Sequence, residues 1–206
     1  LIVLFAEIII LFIRACYDAG QKSFGENYIQ ELEEKSLQLS NLCPEIQWHY
    51  IGRIQSNKIK KLVKVNNLYC VETLDSEEHA QFFNKEMDHL GKVLNVMIQV
   101  NTSKEEQKNG LSSAQAMELA SFVRNKCSFL KLCGFMTIGS YETSLSNGFN
   151  NEFDELFKLR EAFCRKENVS ESDLELSMGM SHDFETAIKQ GSTVVRVGSS
   201  IFGARN

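Results

Sequence analysis

The sequence predicts an α/β fold in which a parallel sheet closes into a single (β/α)8 TIM-type barrel. Eight short β-favouring runs alternate with seven helical patterns along the 206 residues. Segments rich in Gly and Ser follow the seventh and eighth runs, where such barrels often bind phosphate. No G-x-G-x-x-G follows the first run, so an open doubly wound sheet is the less favoured alternative.

The β-favouring runs are short, rich in branched and aromatic residues, and bounded by polar residues or Gly. They are Leu1–Phe5, Ser23–Glu26, Gln47–Ile51, Tyr69–Glu72, Leu94–Asn101, Lys131–Ile138, Glu175–Met178 and Val194–Val197. The helical patterns are Ile9–Ala19, Tyr28–Leu39, Ser56–Val63, Ser76–Leu90, Ala114–Asn125, Asn151–Lys166 and Asp183–Gln190. We expect Asp75 and Glu78 to form a capping box for the fourth helix, and Ser181 to cap the last one.

The opening thirteen residues are almost entirely apolar, with Glu7 as the interruption. This stretch is shorter than the ~20 residues that span a bilayer, and no basic region precedes it as in a signal peptide. We therefore expect a buried first strand and the start of a buried helix, with no membrane partner.

Composition indicates one domain over residues 1–206, with 43% apolar and 24% charged residues. A net charge of −5 argues against a general binder of nucleic acid. The six cysteines show no C-x-x-C pair and no zinc-ligand spacing, so we expect reduced thiols in a cytoplasmic protein without a metal site.

The candidate functional residues follow from the barrel, which places its site at the C-terminal ends of the strands. The polar or unusual residues there are Glu26, Asn27, His49, Arg53, Glu72, Asn101, Met136, Thr137, Ser177, Met178, Arg196, Gly198 and Ser199. Arg196 lies inside an apolar run, which indicates either a ligand contact or a structural ion pair. His49 is either a hydrogen-bonded core histidine or a site residue. The polar stretch 139–150 is either a lid or an ordinary exposed loop.

Several motifs resemble those of the pyridoxal phosphate homeostasis protein family, in unbroken order over about residues 14–206. They are Phe24-Gly-Glu-Asn-Tyr28, Trp48-His-Tyr-Ile-Gly52 with Gln55-Ser-Asn-Lys58, Asn101-Thr-Ser103 with Lys108-Asn-Gly-Leu111, Gly134-Phe-Met-Thr-Ile-Gly139, Leu176-Ser-Met-Gly-Met-Ser181 and Arg196-Val-Gly-Ser-Ser-Ile-Phe-Gly203. The resemblance implies a barrel similar to the cofactor domain of alanine racemase. It also implies a protein that binds pyridoxal 5′-phosphate (PLP) and carries or regulates it, with PLP-dependent apoenzymes as possible recipients.

The resemblance also implies roles for individual residues. Ser177, Met178 and Gly179, together with Gly198 and Ser199, would hold the phosphate through amides and hydroxyls. Arg196 would face the pyridine nitrogen, which suits a carrier because it weakens the ring as an electron sink. Asn27 and His49 would line the ring side of the pocket.

The chain departs from the family pattern at its beginning. The family has a helix before its first strand, and a lysine at the end of that strand forms the Schiff base to PLP. Counted back from the Phe24 motif, that position falls on Ala6, and no lysine precedes Lys22. Residues 1–13 are therefore either those of a paralogue that lost the lysine or a misassembled segment, and no catalytic residue is expected.

Two enzymatic functions remain as alternatives. One is a PLP-dependent racemase, although we expect such an enzyme to need a second domain that supplies the opposing acid or base. The other is a barrel isomerase acting on a phosphorylated metabolite, which the phosphate loops alone would permit.

Overall fold

The computed structural model describes the backbone of residues 2–103, 105, 109–140 and 148–203, and within these ranges the side chains from residue 9 onward. Seven strands form one parallel sheet in sequential order. They are β1 (Ser23–Glu26), β2 (Gln47–Tyr50), β3 (Leu68–Leu74), β4 (Leu94–Gln99), β5 (Leu130–Met136), β6 (Glu175–Met180) and β7 (Val194–Arg196). Helices lie between them, which confirms the predicted alternation.

The α-helices fall mainly in the predicted segments. They are α1 (Ile2–Asp18), α2 (Ile29–Leu39), α3 (Ile59–Leu62), α4 (Glu77–Leu90), α5 (Ser113–Lys126), α6 (Asn151–Glu167), α7 (Phe184–Lys189) and α8 (Ser199–Phe202). Short 3₁₀ helices cover Ser56–Lys58 and Glu171–Asp173. No described helix is both long and apolar enough to cross a membrane.

The barrel is nearly closed, and helix packing takes the place of the missing strand pairing. Among the described residues, the sheet runs from β1 to β7 without a recorded pairing between these two strands. The rings of Phe12 in α1 and Phe202 in α8 meet edge to face, with centroids 6.5 Å apart. Ile13 of α1 is buried in the main core. The first and last helices therefore contact each other where an eighth strand was expected.

The predicted strand Leu1–Phe5 is wrong, because its described residues belong to α1. No Gly, Pro or turn residue interrupts the sequence before Gly20, so nothing separates a strand from the helix that follows. A helix also satisfies its backbone hydrogen bonds internally, whereas a strand inside a sheet needs hydrogen-bond partners on the strands at both sides. The helix ends before Gly20, which has a φ of +104°.

Side chains alternate between two layers of the barrel. In β4, Leu94, Val96 and Ile98 pack into the core between sheet and helices. Met97 lies instead in a smaller apolar cluster with Cys70 and Met136. The period of two in the strands therefore separates an outer helix-facing core from the barrel interior.

The helix caps differ in detail from the prediction. Ser76 caps α4 by accepting a hydrogen bond from the His79 backbone N–H at 3.1 Å, while the Asp75 carboxylate contacts His79 Nδ1 at 2.6 Å. The prediction of a capping box at Asp75 and Glu78 is thus wrong: the N-cap is Ser76, and the Asp75 carboxylate is engaged by the His79 side chain instead. Before α7 the N-cap is Asp183 rather than the predicted Ser181.

Gly134 provides a test of the contact between β5 and β6. Its φ is +154°, and a Cβ built there would lie 2.0 Å from the backbone oxygen of Glu175. We expect Gly134→Ala to lower the free energy of unfolding by roughly 2–4 kcal/mol, because backbone atoms cannot yield as a side chain does. Urea unfolding followed by circular dichroism measures the change. Gly148→Ala is the matched control, because its Cβ would meet nothing within 4 Å. Equal midpoints for the two variants would contradict the strand packing.

Candidate functional site

Four polar side chains from four strands meet inside the barrel. They are His49 of β2, Glu72 of β3, Ser177 of β6 and Arg196 of β7. The Glu72 carboxylate contacts His49 Nδ1 at 2.7 Å and accepts a hydrogen bond from Ser177 Oγ at 2.6 Å. Ser177 Oγ in turn accepts a hydrogen bond from Arg196 at 2.6 Å. We call these residues the interior network.

Glu72 is the most enclosed charged residue of the interior network, with only 1% of its surface exposed. Burial by itself would raise the pKa of this carboxyl. The hydrogen bond and charge of His49, the charge of Arg196 and the hydrogen bond from Ser177 outweigh burial and hold the pKa below its ordinary value. Glu72 therefore remains ionised in the interior because its neighbours supply the donors that water would otherwise supply.

Arg196 is held by two acceptors on neighbouring elements. It donates to Ser177 Oγ and, through its other terminal nitrogen, to the Thr137 backbone oxygen at 2.7 Å. Burial lowers the pKa of the guanidinium, while the negative charges of Glu72 and Asp183 oppose that shift. An arginine remains protonated in such a setting. The side chain therefore brings a fixed positive charge to the interior.

His49 has one ring nitrogen available to a ligand. Nδ1 is engaged by Glu72, whereas Nε2 is buried without a hydrogen-bond partner among the described residues. The ring packs against Tyr69, with centroids 5.3 Å apart. A buried nitrogen without a partner is costly unless a ligand or water satisfies it. His49 also lines a cavity with Ser23 and Gln47, at the end of the barrel where β1 and β2 begin.

The Gly and Ser loops after β6 and β7 lie side by side at the C-terminal end of the barrel. Ser181 Oγ accepts hydrogen bonds from the Gly198 N–H at 3.1 Å and the Ser200 N–H at 3.4 Å. Nothing lies within 4 Å of a Cβ built at Gly198. Gly179 has a φ of +94°, and its missing Cβ would lie 2.5 Å from the Cβ of Ala187. Backbone amides in such a loop form a recognised anion-binding arrangement.

The structure distributes the remaining predicted residues over several environments. The Ser177 hydroxyl belongs to the interior network rather than to the loop, and the Met178 side chain is buried in the main core. Ser199 is exposed at the start of α8, and Asn27 is exposed after β1, with its carbonyl oxygen 1.8 Å from the place of a Gly52 Cβ.

Other candidates from the sequence serve the fold or lie outside the described residues. Glu26 pairs with the buried Lys35, and Thr137 bonds to Thr102 at 2.8 Å. Position 6, expected at the end of a strand, lies in α1. Of the polar stretch 139–150, residues 141–147 are outside the described ranges.

Sequence reasoning did not assign the role of Ser181. It was expected to cap a helix, but its hydroxyl instead joins the two loops at the ends of β6 and β7. Ser181 comes directly after β6 and two residues after Gly179. A serine in this position, followed later by a second Gly and Ser loop, is the sequence signal for such a bridge. The central position of Glu72 had no local signal, because its partner Ser177 lies 105 residues away in the sequence.

Comparisons with known proteins agree with this geometry. The family model for the alanine racemase N-terminal domain matches residues 8–206. The pyridoxal phosphate homeostasis protein of Caenorhabditis elegans is 50% identical over 196 residues, which cover 94% of this chain and 80% of that protein. The chain belongs to the pyridoxal phosphate homeostasis protein family.

Solved structures support the family's fold assignment. The structure of PipY from Synechococcus elongatus with PLP bound has a TM-score of 0.77 and 29% identity, over 94% of this chain and 87% of that one. An alanine racemase from Clostridium difficile has a TM-score of 0.68 over 94% of this chain and 48% of that one. At 14% identity the racemase shows a shared fold and nothing more.

The ionisation of Glu72 makes a prediction about stability in acid. Because its folded pKa is lowered, the ionised carboxylate stabilises the fold above the unfolded pKa of about 4.3, and this contribution is lost as pH falls through the folded pKa. We expect Glu72→Gln to cost about 3 kcal/mol at pH 7 and to flatten the loss of stability in acid.

Urea unfolding between pH 7 and pH 3 measures both effects. Glu118→Gln, which changes an exposed glutamate on α5, is the control and should follow the parent protein. An acid dependence in Glu72→Gln that parallels the parent curve would show that the pKa of Glu72 is the same in the folded and unfolded states.

Proposed function

We propose that this protein binds PLP at the C-terminal end of the barrel and holds it as a carrier or regulator of cytoplasmic PLP rather than as a catalyst. The observation that carries the proposal is the position of an amide-lined loop pair beside a buried network containing a fixed positive charge. The name of the C. elegans relative, 50% identical, and the PLP bound to PipY support the choice of ligand.

The two loops fit the phosphate group. The amides of Gly198 and Ser200 already converge on one oxygen atom, Ser181 Oγ. A phosphate oxygen can accept the same two hydrogen bonds, with the Ser181 hydroxyl and Ser199 as further donors. The open space at Gly198 gives the anion access to the backbone. Met178 and Gly179 form the wall of the loop behind these groups.

The interior network fits the pyridine ring. We infer that Arg196 faces the ring nitrogen and that His49 Nε2 and Asn27 contact the ring substituents. The hydrogen bonds to Ser177 and Thr137 hold the guanidinium in one orientation. An arginine at that nitrogen keeps it unprotonated, which weakens the electron-sink chemistry that bound PLP supplies in enzymes. The arrangement therefore favours retention over catalysis.

We infer non-covalent retention from the lysines in the described part of the chain. Residues 1–21 contain no lysine. Lys22 Nζ lies 3.1 Å from Glu45 and 3.8 Å from the centre of the Tyr17 ring, just before the start of β1 and so at the end of the barrel opposite the loops. We infer that PLP exchanges reversibly, with PLP-dependent apoenzymes as recipients and without nucleic acid or membrane partners.

Gly198→Val tests the phosphate site without disturbing the fold, since nothing occupies the space that the new side chain enters. We expect PLP binding to weaken by more than about tenfold, because the side chain blocks approach to the amides. Lys61→Ala on α3 should bind like the parent protein. Equilibrium dialysis with PLP and with a pentose phosphate measures both variants. Equal losses from the two changes would mean that the site lies elsewhere, and preference for the sugar phosphate would support an isomerase instead.

Borohydride treatment tests the absence of a covalent attachment. We expect that protein incubated with one equivalent of PLP, then reduced and dialysed, keeps its original intact mass, because we assign no lysine of the described residues to the PLP aldehyde. A PLP enzyme with an established attachment lysine, treated in parallel, should gain the mass of the reduced cofactor. A stoichiometric adduct on this chain, mapped by peptide analysis to Lys22 or Lys58, would overturn the non-covalent mode.

A further inference from the structure

A layer of sulfur atoms lies in the barrel interior, next to the interior network. Cys70 of β3, Met97 of β4 and Met136 of β5 form a buried cluster, and Cys133 of β5 packs against it. None of these four residues has a part in the proposed PLP site. We call them the sulfur layer.

The sulfur layer is reached from the N-terminal face of the barrel. A cavity of about 520 Å³ is lined by Cys70, Met97 and Cys133. Its other lining residues include Lys131 and Glu175, which begin or nearly begin their strands. Because the strands are parallel, this opening is at the end opposite the Gly198 loop. The cavity gives a small ion a route to the thiols that does not pass through the phosphate loops.

The two thiols share one cavity although their strands are not neighbours. Cys133 packs against the cluster that contains Cys70, and its Sγ donates to the Val96 backbone oxygen at 3.5 Å. Strand β4 lies between β3 and β5. Two strand spacings amount to about 9.5 Å in a flat sheet, and curvature shortens this only in part. A disulfide needs Cα atoms about 4.4–6.8 Å apart, so the backbone disfavours a direct bond between the two sulfurs.

A bridging metal ion can join sulfur atoms that are farther apart than the two sulfurs of a disulfide. With metal–sulfur bonds of about 2.3 Å, one ion joins sulfurs up to about 4.6 Å apart and leaves the strands in place. Among the described residues no group of three or more His, Cys, Asp and Glu side chains suits a metal ion. Two thiols with nearby thioethers are a different donor set, and they suit soft ions such as Cu(I).

We propose that Cys70 and Cys133 bind one Cu(I) ion, with Met97 and Met136 as adjacent thioether donors. Both thiols lose a proton on binding. The two thiolates carry a charge of −2 and the Cu(I) ion a charge of +1, so the loaded site has a net charge of −1. Lys131 at the rim of the cavity supplies a compensating positive charge. No oxidation of the protein is involved, since copper enters and remains as Cu(I).

The electrostatics of the pair are consistent with this binding mode. The neighbouring Cys70 thiol and the charge of Lys131 lower the pKa of the Cys133 thiol, although burial opposes them. Burial raises the pKa of Cys70. Cys133 is only partly buried and faces the cavity, so it is the thiol that an entering ion meets first.

The test is an anaerobic titration of the reduced full chain with Cu(I) against the chromogenic competitor bicinchoninate. We expect one equivalent of Cu(I) per chain to be retained. Cys70→Val and Cys133→Val preserve the apolar packing and should each weaken binding by more than about 100-fold, since loss of an outer-shell partner alone costs about 10–100-fold. Cys164→Val, at a cysteine buried in the main core, is the matched control and should retain the ion.

A second measurement does not depend on the folding of any variant. In the parent chain, Cu(I) should protect the partly buried Cys133 from N-ethylmaleimide while the reactivity of Cys16 is unchanged, as read by peptide mass spectrometry. Retention of Cu(I) in both Val variants, or modification of Cys133 at an unchanged rate, would overturn the proposal. Rapid formation of a Cys70–Cys133 disulfide with diamide would also overturn it, because the thiols would then have disulfide geometry.

Discussion

The barrel interior depends on the ionised carboxylate of Glu72. A buried carboxylate is costly unless donors replace its water, and Glu72 obtains them from His49 on β2 and Ser177 on β6. Ser177 then accepts from Arg196 of β7, so a single chain of hydrogen bonds crosses from β2 to β7. The sheet edges are β1 and β7, so the network joins the last strand to the second and third strands through the barrel interior. These side-chain hydrogen bonds connect strands that do not pair with each other through their backbones.

The interior network also separates two environments within the barrel. On its C-terminal side lie the amides of Gly198 and Ser200, which suit an anion. On its N-terminal side lie the thiols of Cys70 and Cys133, which suit a soft cation. Glu72 contributes to both, since its charge opposes the burial-driven lowering of the Arg196 pKa and adds to the raising of the Cys70 pKa. The charge of Glu72 therefore acts on both the Arg196 guanidinium and the Cys70 thiol.

The sequence made most of the fold predictable, because strand and helix periods are local properties. The seven later strands were placed within a few residues of their observed bounds, and the two Gly and Ser loops were placed at one end of the barrel. The first strand was not predictable, because the mostly apolar segment Ile2–Asp18 satisfies either period and no Gly or Pro occurs before Gly20. The bond between Glu72 and Ser177 was not predictable either, since it depends on how two distant strands curve toward each other. The shift from Asp75 to Ser76 at the α4 cap depended on a side-chain contact with His79.

Helix α1 affects the C-terminal end of the barrel through its packing against α8. Phe12 of α1 contacts Phe202 of α8, and α8 begins at Ser199, directly after the Gly198 amide. Ile13 anchors α1 in the main core, so α1 holds α8 against the barrel from outside. The packing of Phe12 on Phe202 therefore links α1 to the backbone amides of Gly198 and Ser200. In this way the first helix supports the backbone geometry at the C-terminal end of the barrel.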